Sequence, residues 1–523
     1  MAIKVILLIV FFSVMVGIGL YCRRHATDVN GFVLGGRSVG PWLTAFAYGT
    51  SYFSAVVFVG YAGQFGWKYG IAATWAGIGN AVLGSLLAWA VLGRRTRIMS
   101  QHLDSATMPE FFGARFGSKS LKLAASAIIF VFLIPYTASL YNGLSRLFGM
   151  AFDIDYTVCV IVMAVLTGVY VIAGGYMATA INDFIQGIIM IFGICAVIGA
   201  VLASQGGFLA ALEGLAQVPV DASAGPVAAP GVFASFFGPD PLNLLGVVIL
   251  TSLGTWGLPQ MVQKFYAIKS ESAINKGMII STVFALIVSG GCYFLGGFGR
   301  LFSDKMQFNP DGSIAGGFDS VIPTMLSGLP DLLIAIVVIL VLSASMSTLS
   351  SLVLASSSTL TLDFLKDNII KDMDEKRQVR IMQGLIVVFI AISVVLAIIQ
   401  YKSSVTFIAQ LMGVSWGALA GAFLAPFLYG LYWKKTTKLA CWASFLFSTV
   451  VMVANIFVRS SFPTLLQSPI NAGAFCMLAG LVIVPVVSLF TPQTDRALVE
   501  NAFSCYDKKV TVRQSEALGD QVD

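Results

Sequence analysis

The chain has 523 residues, 57% of them hydrophobic and 11% charged, with a mean hydropathy of +0.88; a soluble domain usually carries about 25% charged residues. None of the charges falls in Ile71–Gly93 or Phe184–Leu212, and apolar runs of about 18 residues or more are long enough to span hydrocarbon as helices. A soluble protein is excluded, and the net charge of +6 follows membrane topology rather than pointing to nucleic acid.

The first apolar stretch, Val5–Tyr21, follows Lys4 as a signal peptide would. It is long for a signal core, however, and no A-x-A-like site precedes Arg23 and Arg24, so it reads as a transmembrane helix. Thirteen spans are predicted, at 3–21, 41–66, 71–93, 121–148, 156–173, 181–203, 242–262, 271–299, 331–360, 380–400, 404–431, 439–458 and 471–490. Between the sixth and seventh lies a long loop, Ser204–Asn243, rich in Ala, Gly and Pro. Between the ninth and tenth, Asp363–Arg380 mixes both charge signs and predicts a short helix. The polar tail after Thr491 is expected to be partly disordered.

An odd number of spans sets the termini on opposite sides. With the N-terminus outside, 24 of the 31 Lys and Arg residues fall on inner segments and 7 on outer ones, which the positive-inside rule favours. Lys264, in the loop after span seven, is among the inner residues. The C-terminus is then cytoplasmic and Ser204–Asn243 extracellular.

Two spans are interrupted alike. Span two carries Gly49-Thr50-Ser51 at mid-membrane, and span seven carries Gly254-Thr255-Trp256-Gly257 followed by Pro259. Glycine weakens a helix by about 1 kcal/mol and proline removes a backbone bond. Unwound backbone persists in a membrane only where protein or a polar cavity satisfies it. Paired breaks point to inverted-repeat transporters that bind substrate and ion at the midplane; glycines that let helices pack closely are the competing reading. The chain then divides into a first helix and cytoplasmic loop (1–40), a five-helix repeat (41–203), an extracellular loop (204–241) and a second, inverted five-helix repeat (242–431). Two further helices (432–490) and a cytoplasmic tail (491–523) follow.

Asp183, at the cytoplasmic start of span six, is an ionisable group in a membrane segment. Such groups face an ion path or a partner, or serve as helix-start carboxylates satisfied by the dipole. Span nine holds a dense hydroxyl run, Ser343-Ala344-Ser345-Met346-Ser347-Thr348-Leu349-Ser350-Ser351. Ser347 lies one turn from both Ser350 and Ser351, so the three share a face. Each hydroxyl is able to bond back to a carbonyl of its own helix, yet so many together suit an oxygen cage. With carbonyls freed in span two they form a neutral cage for one monovalent cation; adding Asp183 makes a second, charged one.

The seven cysteines form no C-x-x-C pair and read as apolar packing, and two histidines are too few for a His-based centre. Gly413-Val414-Ser415-Trp416-Gly417 matches a nucleophile elbow but lies inside span eleven, far from His25 and His102, and is rejected as catalytic. No Walker A or dinucleotide fingerprint occurs. No catalytic residue and no enzyme activity are expected.

Five stretches occur in the order of a known family: Leu34-Gly35-Gly36-Arg37-Ser38-Val39-Gly40-Pro41, Met108-Pro109-Glu110 through Phe116, and Gly174-Gly175 through Asp183 and Gln186. They end with Gly257-Leu258-Pro259-Gln260 and Ser347-Thr348-Leu349-Ser350. Together they resemble the sodium/solute symporter family across nearly the whole chain. The resemblance implies an all-α membrane protein of about 13 helices with a leucine-transporter-type inverted repeat, spans 2–6 and 7–11. It implies alternating access, with sodium driving uptake of a small organic solute across the cell membrane. Its main sodium site falls on the carbonyls of Thr50, Phe53 and Ala344 and the hydroxyls of Ser347 and Thr348. The further site of some members falls on Asp183, Ser347, Ser350 and Ser351.

Among these symporters the proline and pantothenate carriers are most similar. Ser54, Tyr136 and Pro259 match the solute pattern of the proline carriers. Tyr52 replaces an aspartate, and Val56, Thr251 and Thr255 replace aromatic residues; Trp256 completes the candidate set. An amino acid such as proline, or a carboxylate such as pantothenate, is the expected solute. Sodium is the expected coupling ion, no organic cofactor is expected, and the oligomeric state stays open. Proton coupling or exchange on the same fold is the alternative. A sodium-linked channel or sensor is disfavoured, because only about 30 residues follow the last span and no signalling domain is visible.

Overall fold

Backbone groups in hydrocarbon must bond within their own segment, so the apolar runs wind into helices. The computed structural model describes residues 2–152, 155–220, 224–366, 369–370, 373–403 and 408–507. Its main elements are α1 (Ala2–Cys22), α2 (Pro41–Tyr52), α3 (Val56–His102), α4 (Lys119–Phe152), α5 (Tyr156–Ser204), α6 (Pro241–Gly257) and α7 (Pro259–Ala267). They continue with α8 (Ser272–Gly296), α9 (Asp331–Leu365), α10 (Glu375–Ser403), α11 (Ile408–Tyr432), α12 (Lys438–Phe457), α13 (Pro469–Phe490) and α14 (Arg496–Ser504). Among the described residues, pairing of the β type is limited to isolated bridges at Val39–Ile268 and Phe308–Ile314.

Ten of the described helices are long and apolar enough to cross a membrane, or eleven when α6 and α7, bent by 47°, count as one. Two are too long for a single crossing. The 49 residues of α5 extend about 73 Å at 1.5 Å per residue, more than twice the hydrocarbon thickness of about 30 Å. Its two arms meet at Gly175 (φ 53, ψ −146), where a Cβ would lie 2.7 Å from the Phe32 carbonyl oxygen. The 47-residue α3 turns at Gly70 (φ 62, ψ −143) in the same way.

The first break does not fall where the sequence placed it. α2 stays helical through Gly49-Thr50-Ser51 and unwinds only after Tyr52, at Phe53 (φ −87, ψ 116). Gly49 instead admits Phe284 of α8, which a Cβ would meet at 2.3 Å. The second break falls in the stretch expected for it: α6 ends after Gly257, and Pro259 starts α7 beyond Leu258. Gly254 and Gly257 let α6 lie against Trp416 and Ala420 of α11. Both features anticipated for these glycines are present, but at different residues: close packing first, then the break.

α9 and α11 form the centre, with 78% and 94% of their most apolar windows buried, against 22% for α1 at the rim. α9 packs on α2, α4 and α5, and α11 packs on α4, α6, α12 and α13. At one end Lys4 pairs with Asp331 at 3.1 Å. At the other, Arg115 binds the Gly430 and Trp433 carbonyls. The region Ser204–Asn243, expected to be a loop, contains a helix at Phe208–Ala216. Part of the tail is also ordered: α14 buries Val499, Ala502 and Phe503 against the short helix Met108–Phe116. Asp363, expected in a loop, belongs to the last turns of α9. The short helix expected after it falls partly on 367–368 and 371–372, which lie outside the described residues.

Candidate ion and solute site

The end of α2 leaves carbonyls without their helical partners. In an unbroken helix the Val57 amide would serve the Phe53 oxygen, but here it donates to Ser54 at 3.0 Å. α9 runs beside this segment and presents two hydroxyls to it. Ser347 Oγ lies 3.2 Å from the Thr50 carbonyl oxygen and 3.1 Å from that of Ala344. Thr348 Oγ1 lies 3.1 Å from the Thr50 oxygen, 3.2 Å from that of Phe53 and 3.1 Å from that of Ala344. All five residues are buried. Two hydroxyl protons cannot satisfy five such contacts at once, so the cluster is rich in lone pairs and poor in donors. That donor set fits a hard cation, and none of its groups titrates in the physiological range.

The residues expected to form a further cation site are distributed differently. Ser350 Oγ donates to the Ser347 carbonyl at 2.9 Å. Ser351 Oγ meets Ser51 Oγ at 2.9 Å and accepts from Lys264 Nζ at 3.0 Å. The same Nζ lies 3.9 Å from Asp183 Oδ2 and 5.0 Å from the centre of the Tyr176 ring. The side chains of Lys264 and Asp183 are 1% and 0% exposed. The ammonium therefore stands between the carboxylate and Ser351. Lys264, counted at the inner surface by the sequence reading, is in fact buried, because α7 carries it back into the protein.

The positions expected to meet the solute form two groups. Tyr136 of α4 stacks edge-on against Trp416 at 5.9 Å, and its buried hydroxyl has no hydrogen-bond partner among the described residues. Ser54 Oγ accepts from the Val56 amide at 3.2 Å. On the other side, Thr255 Oγ1 donates to the Gly84 carbonyl at 2.9 Å and the Trp256 indole to that of Leu83 at 2.9 Å. Thr251 Oγ1 bonds back to Val247 at 2.9 Å, and Pro259 opens α7. Thr255 and Trp256 are thus committed to α3, apart from Ser54 and Tyr136. The side chain of Tyr52 lies outside the described part of the structure.

Gln260 was not anticipated as a site residue. It is fully buried, and neither its amide oxygen nor its amide nitrogen has a hydrogen-bond partner among the described residues. The available signal was its place beside Pro259 at a helix break. A cavity of about 990 Å³ opens at the end of the molecule that holds the Phe308–Ile314 bridge, lined among others by Gln64, Asn142, Arg146, Val247 and Arg300. Val247 lies one helical turn from Thr251, one of the positions expected to meet the solute. The opposite end is shut. The Val39 amide donates to the Ala267 carbonyl and the Lys269 amide to the Val39 carbonyl, flanking the Val39–Ile268 bridge, and Arg37 binds Ser100, Ser105 and Tyr266.

The sequence pattern of the sodium:solute symporter family matches residues 32–446. The chain belongs to this family. Sodium/proline symporters from several Staphylococcus aureus strains, including JH9 and NCTC 8325, are 28% identical over 477 residues, 86% of this chain and 85% of theirs. A Na+-coupled sialic acid symporter, solved substrate-bound and outward-open with a novel Na+ site, superposes with a TM-score of 0.71 at 16% identity. That match covers 94% of this chain and 99% of the other. A manganese transporter from Eremococcus coleocola gives 0.50 at 13% identity, over 88% and 96%. The symporter is thus an all-helical, multi-pass membrane protein of the leucine-transporter fold, with sodium as its coupling ion.

Proposed function

We propose that this symporter imports a small carboxylate-bearing organic solute, an amino acid such as proline or an acid such as pantothenate, by alternating access. One sodium ion binds at the Thr50, Phe53, Ala344, Ser347 and Thr348 oxygens. The observation that carries this reading is the donor-poor oxygen cluster between the unwound end of α2 and α9. Because the cluster is neutral, a cation adds charge that hydroxyls and carbonyls are able to solvate, whereas a proton finds no base there. This favours sodium over the proton-coupled alternative.

The solute is assigned to the space bounded by Ser54, Tyr136 and the start of α7. The positive end of a half-helix suits a carboxylate, and the unpartnered amide of Gln260 offers both a donor and an acceptor. Thr251, Thr255 and Trp256 set the shape of the α3 side. The distribution of basic residues supports a reading with the N-terminus outside and the C-terminus inside, in the cell membrane. On that reading the cavity faces outward and Arg37 guards the cytoplasmic side.

Uptake into proteoliposomes of labelled L-proline, pantothenate and a panel of amino acids, with and without an inward sodium gradient, tests the reading. Accumulation above equilibrium that requires the gradient and disappears in T348A is expected. Accumulation driven by a proton gradient without sodium would overturn it.

A further inference from the structure

Asp183 is a fully buried carboxylate, and neither of its oxygens accepts a hydrogen bond from the protein among the described residues. A charge left this way is costly unless a cation answers it. The cation next to it in this chain is Lys264 Nζ, 3.9 Å away. That ammonium also donates to Ser351 Oγ at 3.0 Å and faces the Tyr176 ring at 5.0 Å. It therefore holds a carboxylate, a serine hydroxyl and an aromatic face, which is what a bound cation would hold in the same place.

The position matters because of what adjoins it. Ser351 touches Ser51, the residue after Thr50, and lies one turn from Ser347 and Thr348 on α9. The ammonium is thus fixed beside the main oxygen cluster and joined to both of its walls. A sodium ion shared by Asp183 and Ser351 would sit in contact with this positive charge. Both cations would lie in a buried site with one carboxylate between them, where like charges repel far more strongly than in water.

We propose that the Lys264 side chain takes the place of a second sodium ion, so that the protein binds one sodium per cycle. The tethered ammonium supplies the positive charge that Asp183 requires and remains with the protein when the solute is released. This inference rests on the proposed sodium cage and adds to it the ion count. It also sets aside the further sodium site expected at Asp183, Ser347, Ser350 and Ser351.

Equilibrium binding of 22Na+ to the purified full-length protein in detergent tests it without requiring the solute. Wild type is expected to saturate at one ion per chain with a Hill coefficient of one. K264M, which removes the charge and keeps the stem, is expected to saturate at two. K264R is expected to stay at one, and K264M/D183N to return to one. Two ions on the wild type would overturn the role of Lys264 and leave the main cage standing. A folded K264M that still binds one ion would overturn it as well. If K264M does not fold, the wild-type and K264R counts decide, since two ions on either contradicts the proposal. No saturable binding to wild type would instead overturn the cage itself, and the single ion with it.

Discussion

Thr348 Oγ1 reaches three carbonyl oxygens, those of Thr50 and Phe53 at the unwound end of α2 and that of Ala344 in its own helix, whereas Ser347 Oγ reaches two. If these oxygens bind sodium, the two hydroxyls should not be equivalent. T348A removes a ligand and opens a gap at the centre of the cluster, and is expected to weaken sodium about tenfold or more, roughly 1.4 kcal/mol per decade. S347A should cost less, and T348S should stay near wild type. The sodium dependence of 22Na+ binding separates the three. Gln260 yields a second residue-level test. Its buried amide has no hydrogen-bond partner to lose among the described residues, so Q260A is expected to raise the solute KM about 3- to 10-fold, the worth of one neutral hydrogen bond, while sodium affinity holds. Uptake kinetics at saturating sodium check this. The hydroxyl run was legible in the sequence because so many serines in an apolar helix have few uses. Lys264 was not, because a lysine just past an apolar run reads as a loop charge until the bend of α7 is known.

At the scale of elements, helix breaks in this protein are produced by two different arrangements. α7 begins with a proline, so its break is written in the chain. α2 unwinds at Phe53-Ser54 with no proline and no glycine at the break itself, and Gly49, which drew attention to it, serves packing against Phe284. The existence of both breaks was therefore readable, but the exact residue of the first depended on α9 offering hydroxyls to the freed carbonyls. Gly175 shows the converse. It stands in a motif noted for Asp183, yet its backbone (φ 53, ψ −146) turns α5 back across the molecule beside Phe32. Gly175→Ala should cost about 1–3 kcal/mol from that conformation alone, with the 2.7 Å approach to the Phe32 oxygen added. Gly384→Ala in α10, where a Cβ would meet nothing within 4 Å, should be neutral or slightly stabilising. Thermal melts of the two detergent-solubilised variants are expected to separate by several degrees.

For the whole molecule, the oxygen cluster joins the first half of the chain to the second, since Thr50 and Phe53 lie before residue 204 and Ala344, Ser347 and Thr348 after it. A sodium ion there would act as a removable strut between α2 and α9. α2 is a continuous 12-residue helix that begins at Pro41, two residues after Val39, whose backbone closes onto Ile268 at the shut end. Occupying the cluster should therefore steady that closure from a distance, with Arg37 fastening it locally through Ser100, Ser105 and Tyr266. Hydrogen–deuterium exchange of the purified protein in sodium or choline chloride measures the coupling at residues 35–40 and 266–270. Sodium is expected to slow exchange there in wild type and to have no effect in T348A, whose bridge backbone is otherwise intact. Arg37→Gln should raise exchange in both salts, because it loosens the closure without touching the ion. Since a ligand stabilises the state it prefers by RT ln(1 + [L]/Kd), about 2.7 kcal/mol at 100 times Kd, the protection should grow with sodium concentration rather than switch on at one value. Exchange at this end that ignores sodium in wild type would show that the ion and the closure are independent, and that any coupling between the two halves runs through some other contact.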